Sequence, residues 1–549
     1  MIKIEKEEWF FIFLIWLILT FLIFFPFLVG KIMEPKDSIF LGFQNINIID
    51  TPYYYSLIEQ AKDGHFLFRY NSTSESHPYF IFDPFWLSVG ILAKIFNLSS
   101  IYTFQIVKFF VIPIFLISSY FLISFFFEEK KKRKWALLIL TFASGWGWIF
   151  LSFLPLIPGM SINGVIDLKK FVDSRGVFQF PIDFWVPEAF SFFSLYNSPH
   201  FGFSTSLIFL IFLLSLLFFE KKNLKYSLMA GVLSSFLFQF HPYYVLTIFA
   251  TLGFFILISS LVEKQLNLSY LIHYFVVLLF SFPPIFYYLW TIFKIPVRTS
   301  HFSKNILITP SLPYLLIGYG PLIFLGTYGL SLLLKSKKRK EKDLFLISWF
   351  FVEFFLIYCP LIPFQRKLTE GFQMDLAILT TFSLFHIKSW FEKRSILRKF
   401  TLLEKILFIF FLSFSNFIII GNDIISYCEK NEMFYLKKGI VEGMEWIRRN
   451  TSENSVILSS FETGNLLLAF IDRPVYLAHP HITVNFQEKK ERVEKFFKEG
   501  SEEFLKNEGI DYLFVTERER EKIKFDLEEK NYLEKVFTNE EVTIFKVNL

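Results

Sequence analysis

Asp50 is the only acidic side chain between residues 44 and 55, and three consecutive tyrosines follow it at positions 53–55. A carboxylate in such a setting can act as a general base that takes the proton from an attacking hydroxyl group. The same side chain can instead cap a helix that begins at Pro52, because Asp is a favoured N-cap residue and Pro a favoured first residue. At the level of sequence, both roles stay open.

A second group of polar side chains combines carboxylates with imidazole. Asp183, Glu188 and His200 lie within one aromatic-rich segment, and Asp83 stands in the earlier segment 82–86. Carboxylates suit Mg²⁺ or Mn²⁺ and imidazole is tolerated, so these residues are candidates for a divalent cation or for the hydroxyl groups of an acceptor. Their spacing matches no compact metal-binding motif, and local capping or pairing explains them as well.

The third group is cationic. Arg366 and Lys367 are adjacent, and Arg298 and the pair His241-Pro242 lie in other connecting segments. A guanidinium group binds phosphate through two parallel hydrogen bonds, which makes Arg366, Lys367 and Arg298 candidates for phosphate binding. His241 and His200 are candidates for hydrogen bonds to the same phosphate. The alternatives are snorkelling of the cations towards lipid headgroups and ordinary satisfied histidines at helix ends.

The elements that position these residues are apolar. Hydrophobic residues make up 53% of the 549-residue chain, with 79 Phe, and the mean hydropathy is +0.45. Residues 9–29 contain no charge, which fits one membrane-spanning helix. This run is too long for a cleaved signal peptide and has no small-residue cleavage site. Composition therefore predicts an integral membrane protein.

Basic clusters predict the topology. Under the positive-inside rule, residues 128–134, 221–222, 335–342 and 388–399 face the cytoplasm. All four do so if the N-terminus is cytoplasmic and the chain crosses the bilayer about eleven times. The predicted spans lie near residues 9–29, 101–127, 135–155, 203–219, 226–241, 243–261, 270–291, 313–334, 344–362, 373–388 and 402–421.

This topology predicts a mainly α transmembrane bundle at residues 1–425, with large outer loops at 30–100 and 156–202. It also places the acidic, histidine and cationic candidates on one membrane face, as expected of a shared site. The tail, residues 430–549, alternates short apolar strands with amphipathic or charged helices, which predicts a small α/β domain outside the cytoplasm. The predicted strands lie near residues 455–458, 512–515 and 542–547, and the predicted helices near residues 434–449 and 487–498.

Several functional classes are disfavoured. The sequence contains no Walker loop, no Gly-rich dinucleotide fingerprint after a strand and no Gly-x-Ser-x-Gly elbow. No cytoplasmic loop is long enough for a Rossmann domain, which argues against a nucleotide-sugar enzyme. The basic character of the membrane part follows from its cytoplasmic loops and does not imply a nucleic-acid partner.

The first outer loop resembles that of the GT-C glycosyltransferases, polytopic enzymes that take a sugar from a polyprenyl-phosphate carrier. The resemblance rests on residues 50–55, 61–65 and 76–86. Residues 180–201, 240–243 and 363–371 are similar to a group of bacterial GT-C-like membrane proteins. The resemblance implies a GT-C-like bundle, and it implies that Asp50 accepts the proton of the acceptor hydroxyl.

From the residues and the resemblance together, we expect a glycosyltransferase of the bacterial plasma membrane that acts on the cell envelope. It would move a hexosyl or pentosyl group, with inversion, from a polyprenyl-phosphate carrier to an extracytoplasmic glycan, lipid or protein. The alternatives are a transporter or flippase of a lipid-linked saccharide and a non-catalytic GT-C-like scaffold. The sequence shows no internal repeat of the kind that many transporters carry.

Overall fold

Helices dominate the chain. The computed structural model describes residues 4–154, 161–162, 165–166, 168–174, 176–393 and 402–548. The first helices in this part are α1 (Lys6–Ile32), α2 (Thr51–Asp63), α3 (Pro84–Ile95), α4 (Ser100–Phe126), α5 (Lys130–Phe142), α6 (Gly147–Phe153), α7 (Ser191–Asn197), α8 (Pro199–Lys221), α9 (Leu224–Phe240), α10 (Tyr244–Glu263) and α11 (Leu268–Lys294). They are followed by α12 (Pro296–Lys304), α13 (Leu312–Tyr319), α14 (Pro321–Lys335), α15 (Glu341–Leu356), α16 (Phe372–Lys393), α17 (Leu402–Leu412), α18 (Phe414–Cys428), α19 (Lys438–Asn450), α20 (Phe461–Leu467), α21 (Phe486–Glu499), α22 (Glu502–Asn507) and α23 (Glu517–Lys522).

The strands are short. They are β1 (Ser38–Phe40), β2 (Ser161–Ile162), β3 (Val165–Ile166), β4 (Tyr435–Lys437), β5 (Ile457–Leu458), β6 (Tyr512–Thr516), β7 (Leu533–Thr538) and β8 (Val542–Val547).

Each predicted span coincides with helical structure. Five helices are long and apolar enough to cross a bilayer alone, namely α1, α4, α8, α10 and α11. Three bent pairs, α5–α6, α13–α14 and α17–α18, raise the number to eight if each pair is one span. The other three predicted spans are α9, α15 and α16. Of these, α9 and α15 have only 17 and 16 residues, which is short for a hydrocarbon core of ~30 Å, and α16 includes Asp375 and three charges near its end.

Apolar surface on the helices shows what surrounds them. Only 28% of the most apolar window of α1, and the same share of α11, is buried inside the protein. Large side chains such as Phe10, Phe21 and Leu279 are exposed by 62%, 61% and 70%. Continuous apolar faces of this kind are stable against lipid but not against water. The chain is an integral membrane protein.

The bend between α13 and α14 follows from two residues. Gly320 has φ of +48°, in the region that favours glycine, and Pro321 supplies no backbone N–H to continue the helix. The two helices therefore meet at 90° instead of forming the single straight span that hydropathy predicts.

The chain folds into two compact units. The first consists of residues 1–25, 108–286 and 306–422, and the second of residues 26–107, 287–305 and 423–549. The predicted division into residues 1–425 and 430–549 was based on composition and stays a prediction.

The first unit is a helical bundle. Its closest helix pairs include α14 with α16, α8 with α9, and α10 with α15. A buried ion pair joins its early helices, because Arg133 Nη1 lies 3.0 Å from Glu8 Oε1, and the hydroxyl of Tyr120 donates to the same oxygen at 2.5 Å. The acid lies in the first turn of α1, where the helix dipole favours negative charge.

The second unit contains the α/β domain that the tail predicts. Its sheet has strand order β5-β6-β8-β7, with β5 parallel to β6 and the other pairs antiparallel. The amphipathic helix α21 buries Val493, Phe496 and Phe497 in the core of this domain. The strand predictions near 455–458, 512–515 and 542–547 are confirmed, whereas β7 was not predicted.

Several contacts fix the first loop to this domain within the second unit. Arg448 of α19 pairs with Glu59 at 2.6 Å and with Asp63 at 2.5 Å, and both carboxylates belong to α2. Strand β1 of the same loop pairs with β4, with Ser38 opposite Lys437. These contacts hold the helix that begins after Asp50 against the C-terminal part of the chain.

Candidate functional site

Asp50 lies at the start of α2 but does not cap it. It occupies the N-cap position, yet its side chain makes no capping hydrogen bond. Its Oδ1 atom instead lies 2.8 Å from Nε2 of His479, and the Asp50 side chain is 50% exposed while that of His479 is 5% exposed. The capping role suggested by the sequence is therefore not what the carboxylate does in this structure.

The hydrogen bonds of His479 define its tautomer. The backbone N–H of His481 donates to Nδ1 of His479 at 3.2 Å, so Nδ1 is an acceptor. The ring proton then resides on Nε2, from which it is donated to Asp50. The carboxylate of Asp50 thus receives a hydrogen bond from a buried imidazole.

An aromatic cluster extends from this pair to a cation. The ring of Tyr53 lies 6.1 Å from that of His479 and 6.3 Å from that of Tyr70. The hydroxyl of Tyr70 accepts a hydrogen bond from Arg298 and lies 2.9 Å from Nδ1 of His301. The structure therefore brings the predicted base and one predicted phosphate ligand into a single cluster of the second unit.

Arg298 is held over aromatic faces. Its guanidinium carbon lies 4.8 Å from the ring centroid of Tyr288 and 5.9 Å from that of Tyr70. Its helix, α12, packs through Val297 on Tyr70 and Ile482, in a small apolar cluster of the second unit. Such contacts orient a guanidinium group while keeping its charge.

Asp83 caps a helix. Its carboxylate accepts the backbone N–H of Trp86 at 3.0 Å, in the first turn of α3. Burial raises the pKa of Asp83 to about 7. Local capping, one of the alternatives in the sequence, accounts for this geometry.

In the first unit, Asp183 joins separate segments. It is 1% exposed, and its Oδ2 accepts from the backbone N–H of Gly147 at 3.0 Å and from Oγ of Ser415 at 2.6 Å. Burial raises the pKa of Asp183 to about 7. These partners give Asp183 a structural role at the first residue of α6 and near the start of α18.

The segments containing Glu188 and Arg366 meet within the same unit. The 3-10 helix Pro187–Ala189 packs against the 3-10 helix Gln365–Thr369. Glu188 is 5% exposed, and its Oε2 is buried without a hydrogen-bond partner among the described residues. The guanidinium carbon of Arg366 lies 4.9 Å from the ring centroid of Trp185.

Two histidines stack near this contact. The rings of His200 and His241 are 5.2 Å apart and nearly parallel, at 10°. Nδ1 of His200 lies 2.6 Å from Oγ of Ser198. Both ring nitrogens of His241 are buried without a partner in the part of the chain that the structure describes. Burial, together with the charges of His200 and Lys367, holds the pKa of His241 well below its usual range.

Lys367 and Glu370 complete this polar region. The ammonium of Lys367 lies 4.4 Å from the ring centroid of Tyr243. Glu370 is fully buried, accepts from Oγ1 of Thr205 at 2.7 Å, and also accepts from the hydroxyls of Ser204 and Tyr244. Burial raises the pKa of Glu370 to about 8, because it disfavours the charged form.

Apart from Asp83 and Asp183, the candidates fall into two clusters. The second unit holds Asp50 with His479, Tyr70 and Arg298, and the first unit holds Glu188, His200, His241, Arg366 and Lys367 with Glu370. Among the described residues, no group of three or more His, Cys, Asp or Glu side chains has the geometry to hold a metal ion.

Comparison with solved structures shows the fold. The apo oligosaccharyltransferase of Archaeoglobus fulgidus matches with a TM-score of 0.50 and 14% identity, over 93% of this chain and 70% of that chain. A point variant of the arabinofuranosyltransferase AftD from Mycobacteria matches with a TM-score of 0.51 and 10% identity, over 100% of this chain and 42% of that chain. The chain has the GT-C fold. ArnT from Cupriavidus metallidurans, bound to undecaprenyl phosphate, matches with a TM-score of 0.49 and 12% identity, over 99% of each chain.

No protein-family model and no curated protein matches the sequence. At identities of 10% to 14%, the likeness is one of GT-C fold and does not transfer residue roles.

Three residues of these clusters, Tyr70, His479 and Glu370, were not among the predicted site residues. His479 belongs to the motif His479-Pro480-His481, and Glu370 directly precedes Gly371 in the loop that contains Arg366. Both motifs are visible in the sequence. Only the folded chain shows that one imidazole reaches Asp50 and that three hydroxyl groups surround the Glu370 carboxylate.

Proposed function

We propose that the protein is a membrane glycosyltransferase that moves a sugar from a polyprenyl-phosphate carrier to a hydroxyl group outside the cytoplasm. The observation that carries this proposal is the carboxylate of Asp50, half-exposed and anchored through Oδ1 within a chain of GT-C fold. The two GT-C proteins with TM-scores of 0.50 and 0.51 are both named for sugar transfer.

Asp50 is assigned the role of general base. Its carboxylate takes the proton of the acceptor hydroxyl as the acceptor oxygen bonds to the anomeric carbon. The bond between that carbon and the carrier phosphate breaks in the same step, and its electron pair leaves with the phosphate. Direct displacement from the opposite side inverts the configuration at the anomeric carbon.

The cations are assigned to the phosphate. Negative charge grows on the leaving oxygen during displacement, and positioned cations stabilise it more in the transition state than in the ground state. In the second unit the candidate is Arg298, whose guanidinium group is oriented by Tyr70 and Tyr288. In the first unit the candidates are Arg366, Lys367, His241 and His200.

The contacts of the acidic candidates bear on the acceptor assignment. Asp183 and Asp83 already serve as acceptors for backbone N–H groups in the structure. Glu188 Oε2 and Asp183 Oδ1 are both buried without a partner among the described residues, which is the state expected of a group that receives a hydroxyl donor from a ligand. A role of these residues with Mg²⁺ or Mn²⁺ stays a prediction from the sequence.

The proposal also includes the orientation of the chain in the membrane. With the N-terminus in the cytoplasm, the basic clusters face inward and the α/β domain lies outside, in the same compartment as Asp50. The acceptor is then a glycan, lipid or protein of the cell envelope, in keeping with the bacterial plasma membrane that we expect from the sequence.

The test uses the full chain in proteoliposomes with a panel of radiolabelled undecaprenyl-phosphate-linked hexoses and pentoses. We expect the wild-type protein to release undecaprenyl phosphate from at least one member and to transfer its sugar with inversion. Movement of an intact lipid-linked sugar across the bilayer without cleavage would favour the transporter alternative. Binding with neither cleavage nor movement would favour a non-catalytic scaffold.

A further inference from the structure

A buried histidine from the C-terminal part of the chain contacts the proposed base. His479 follows α20, in the loop that leads to α21, and its Nε2 donates to Oδ1 of Asp50 at 2.8 Å. The histidine is almost fully buried whereas the carboxylate is half-exposed. The rigid partner of this hydrogen bond is therefore the histidine, and the group that it restrains is the one that solvent and substrate can reach.

The loop that carries His479 is itself fixed. The backbone N–H groups of Ile482 and Thr483 both donate to the carbonyl oxygen of His479, at 3.1 and 2.9 Å. The hydroxyl of Thr483 donates to the carbonyl oxygen of Ser72 at 2.5 Å. These bonds hold the backbone of His479 against the first loop, in the same structural unit as Asp50.

The ring orientation is fixed as well. The N–H of His481 occupies Nδ1, so only Nε2 is left to carry the ring proton, and that proton is directed at the carboxylate. A second support comes from Tyr53, whose ring lies 6.1 Å from the imidazole. The imidazole is thus a donor of known direction, and a donor of this kind selects one rotamer of Asp50.

We propose that His479 is a positioning residue, which acts through Asp50 by holding its carboxylate where it can receive the proton of the acceptor hydroxyl. This inference rests on the proposed function, since it requires Asp50 to be the base. A general base must lie within hydrogen-bond reach of the proton that it takes. A misplacement of about 1 Å can cost on the order of 100-fold in rate.

Two matched substitutions separate positioning from packing. Gln and Met have unbranched side chains of similar length, and Gln carries an N–H group close to the place of the imidazole Nε2, whereas Met carries no donor. In His479→Gln we expect kcat to stay within about fivefold of the wild type, and in His479→Met to fall by roughly 10- to 100-fold. The KM for the donor lipid should change little in either variant, because His479 is assigned no contact with the lipid.

The assay is the transfer of radiolabelled sugar from the undecaprenyl-phosphate-linked donor that the wild type cleaves, with His386→Ala as a control histidine on α16. Asp50→Asn is measured alongside. Equal losses in the Gln and Met variants would overturn the positioning role, and so would wild-type kcat in His479→Met. A wild-type rate in Asp50→Asn would instead overturn the assignment of Asp50 as the base, and the absence of transfer by the wild type would overturn the proposed function, so these failures are distinguishable. A kcat near that of the wild type in His479→Gln, together with a reduced kcat in His479→Met, supports the inference.

Discussion

The Nε2 atom of His479 lies 2.8 Å from Oδ1 of Asp50, although 429 positions separate the two residues in the chain. The contact lies inside one structural unit, which joins the first loop to the C-terminal α/β domain. The C-terminal α/β domain therefore supplies part of the surroundings of the proposed base.

Arg298 offers a test of phosphate binding in the second unit. We expect Arg298→Gln to raise the KM for the donor lipid by roughly 10- to 100-fold, because a charge-assisted hydrogen bond to phosphate contributes roughly 1.5–3 kcal/mol. The KM of Arg298→Lys should lie between the values of the wild type and Arg298→Gln, since Lys keeps the charge but lacks the planar guanidinium group. The measurement is initial rate against donor concentration.

The matched control for Arg298 is Arg449→Gln. Arg449 pairs with Glu445 on α19 at 2.8 Å and is 75% exposed, so its loss should leave the KM unchanged. An unchanged KM in Arg298→Gln as well would remove Arg298 from the phosphate site.

His241 offers a test in the first unit. Its two nitrogens are buried without partners among the described residues, whereas its ring stacks on His200. His241→Phe keeps the stacking and removes the unsatisfied groups, so the unliganded protein should unfold at the same or a higher temperature. Undecaprenyl phosphate should stabilise the wild type against heat and stabilise this variant markedly less.

The measurement is the midpoint temperature of thermal unfolding of the wild type and of His241→Phe, in detergent with and without undecaprenyl phosphate. A companion variant, Lys367→Ala, is measured in the same way. Its control is Lys335→Ala, at the end of α14. An undiminished lipid-induced shift in His241→Phe would show that the histidine does not bind the carrier phosphate.

The pair His65–Asp472 predicts a pH dependence of stability. Nε2 of His65 lies 3.3 Å from Oδ2 of Asp472. The hydrogen bond to Asp472 raises the pKa of His65. Burial opposes the charged form of Asp472, but the hydrogen bonds from His65 and Asn71 hold the pKa of Asp472 below its usual range.

The directions of the two pKa shifts define the pH range in which the pair stabilises the fold. The raised pKa of His65 means that its stabilisation is complete below the unfolded-state pKa and is lost as pH rises through the folded-state pKa. The lowered pKa of Asp472 means that its stabilisation is lost as pH falls through its folded-state pKa. We expect the free energy of unfolding of the wild type to fall by about 1.5 kcal/mol from mildly acidic to alkaline pH, the lower end of the range for one hydrogen bond to a charged group. His65→Gln should flatten this part of the profile, and an identical profile in both proteins would contradict the role of the pair.

Cysteine labelling tests the orientation. Cys428 is exposed and Cys359 is buried, and both are free thiols. With the C-terminal domain outside the cytoplasm, a membrane-impermeant maleimide added to intact spheroplasts should label Cys428 at the end of α18. Cys428→Ser removes the signal and serves as the control. Labelling that appears only after the membrane is opened would place this end of the chain in the cytoplasm.

The features that the sequence predicts well are local. Hydropathy identifies a helix at each expected span, and the charged residues of 487–498 indicate α21, because each signal is contained in one segment of chain. Strand β7 was missed because its residues are exposed or half-buried and include Glu534 and Lys535, so no apolar run marks it. The bend at Gly320 depends on one backbone angle that hydropathy does not report.

The site could be predicted only in part, for a related reason. Residue type singles out Asp50 and Arg298, but their neighbours come from distant segments, and a single sequence carries no signal for the contact between Asp50 and His479. Asp183 shows how much the fold adds to residue type. Its type and its aromatic surroundings make it a candidate acceptor or metal ligand, and only the folded chain shows that its Oδ2 accepts from Gly147 and Ser415.

The most direct test of the account is the rate of sugar transfer by Asp50→Asn, in proteoliposomes that hold equal amounts of correctly inserted protein. Asn preserves the size of the side chain and can still accept from His479 through its amide oxygen, but it is not a base. We predict that binding of undecaprenyl phosphate is retained and that kcat falls by at least about 100-fold, the usual contribution of a general base. Transfer at the wild-type rate would contradict the assignment of Asp50 as the base.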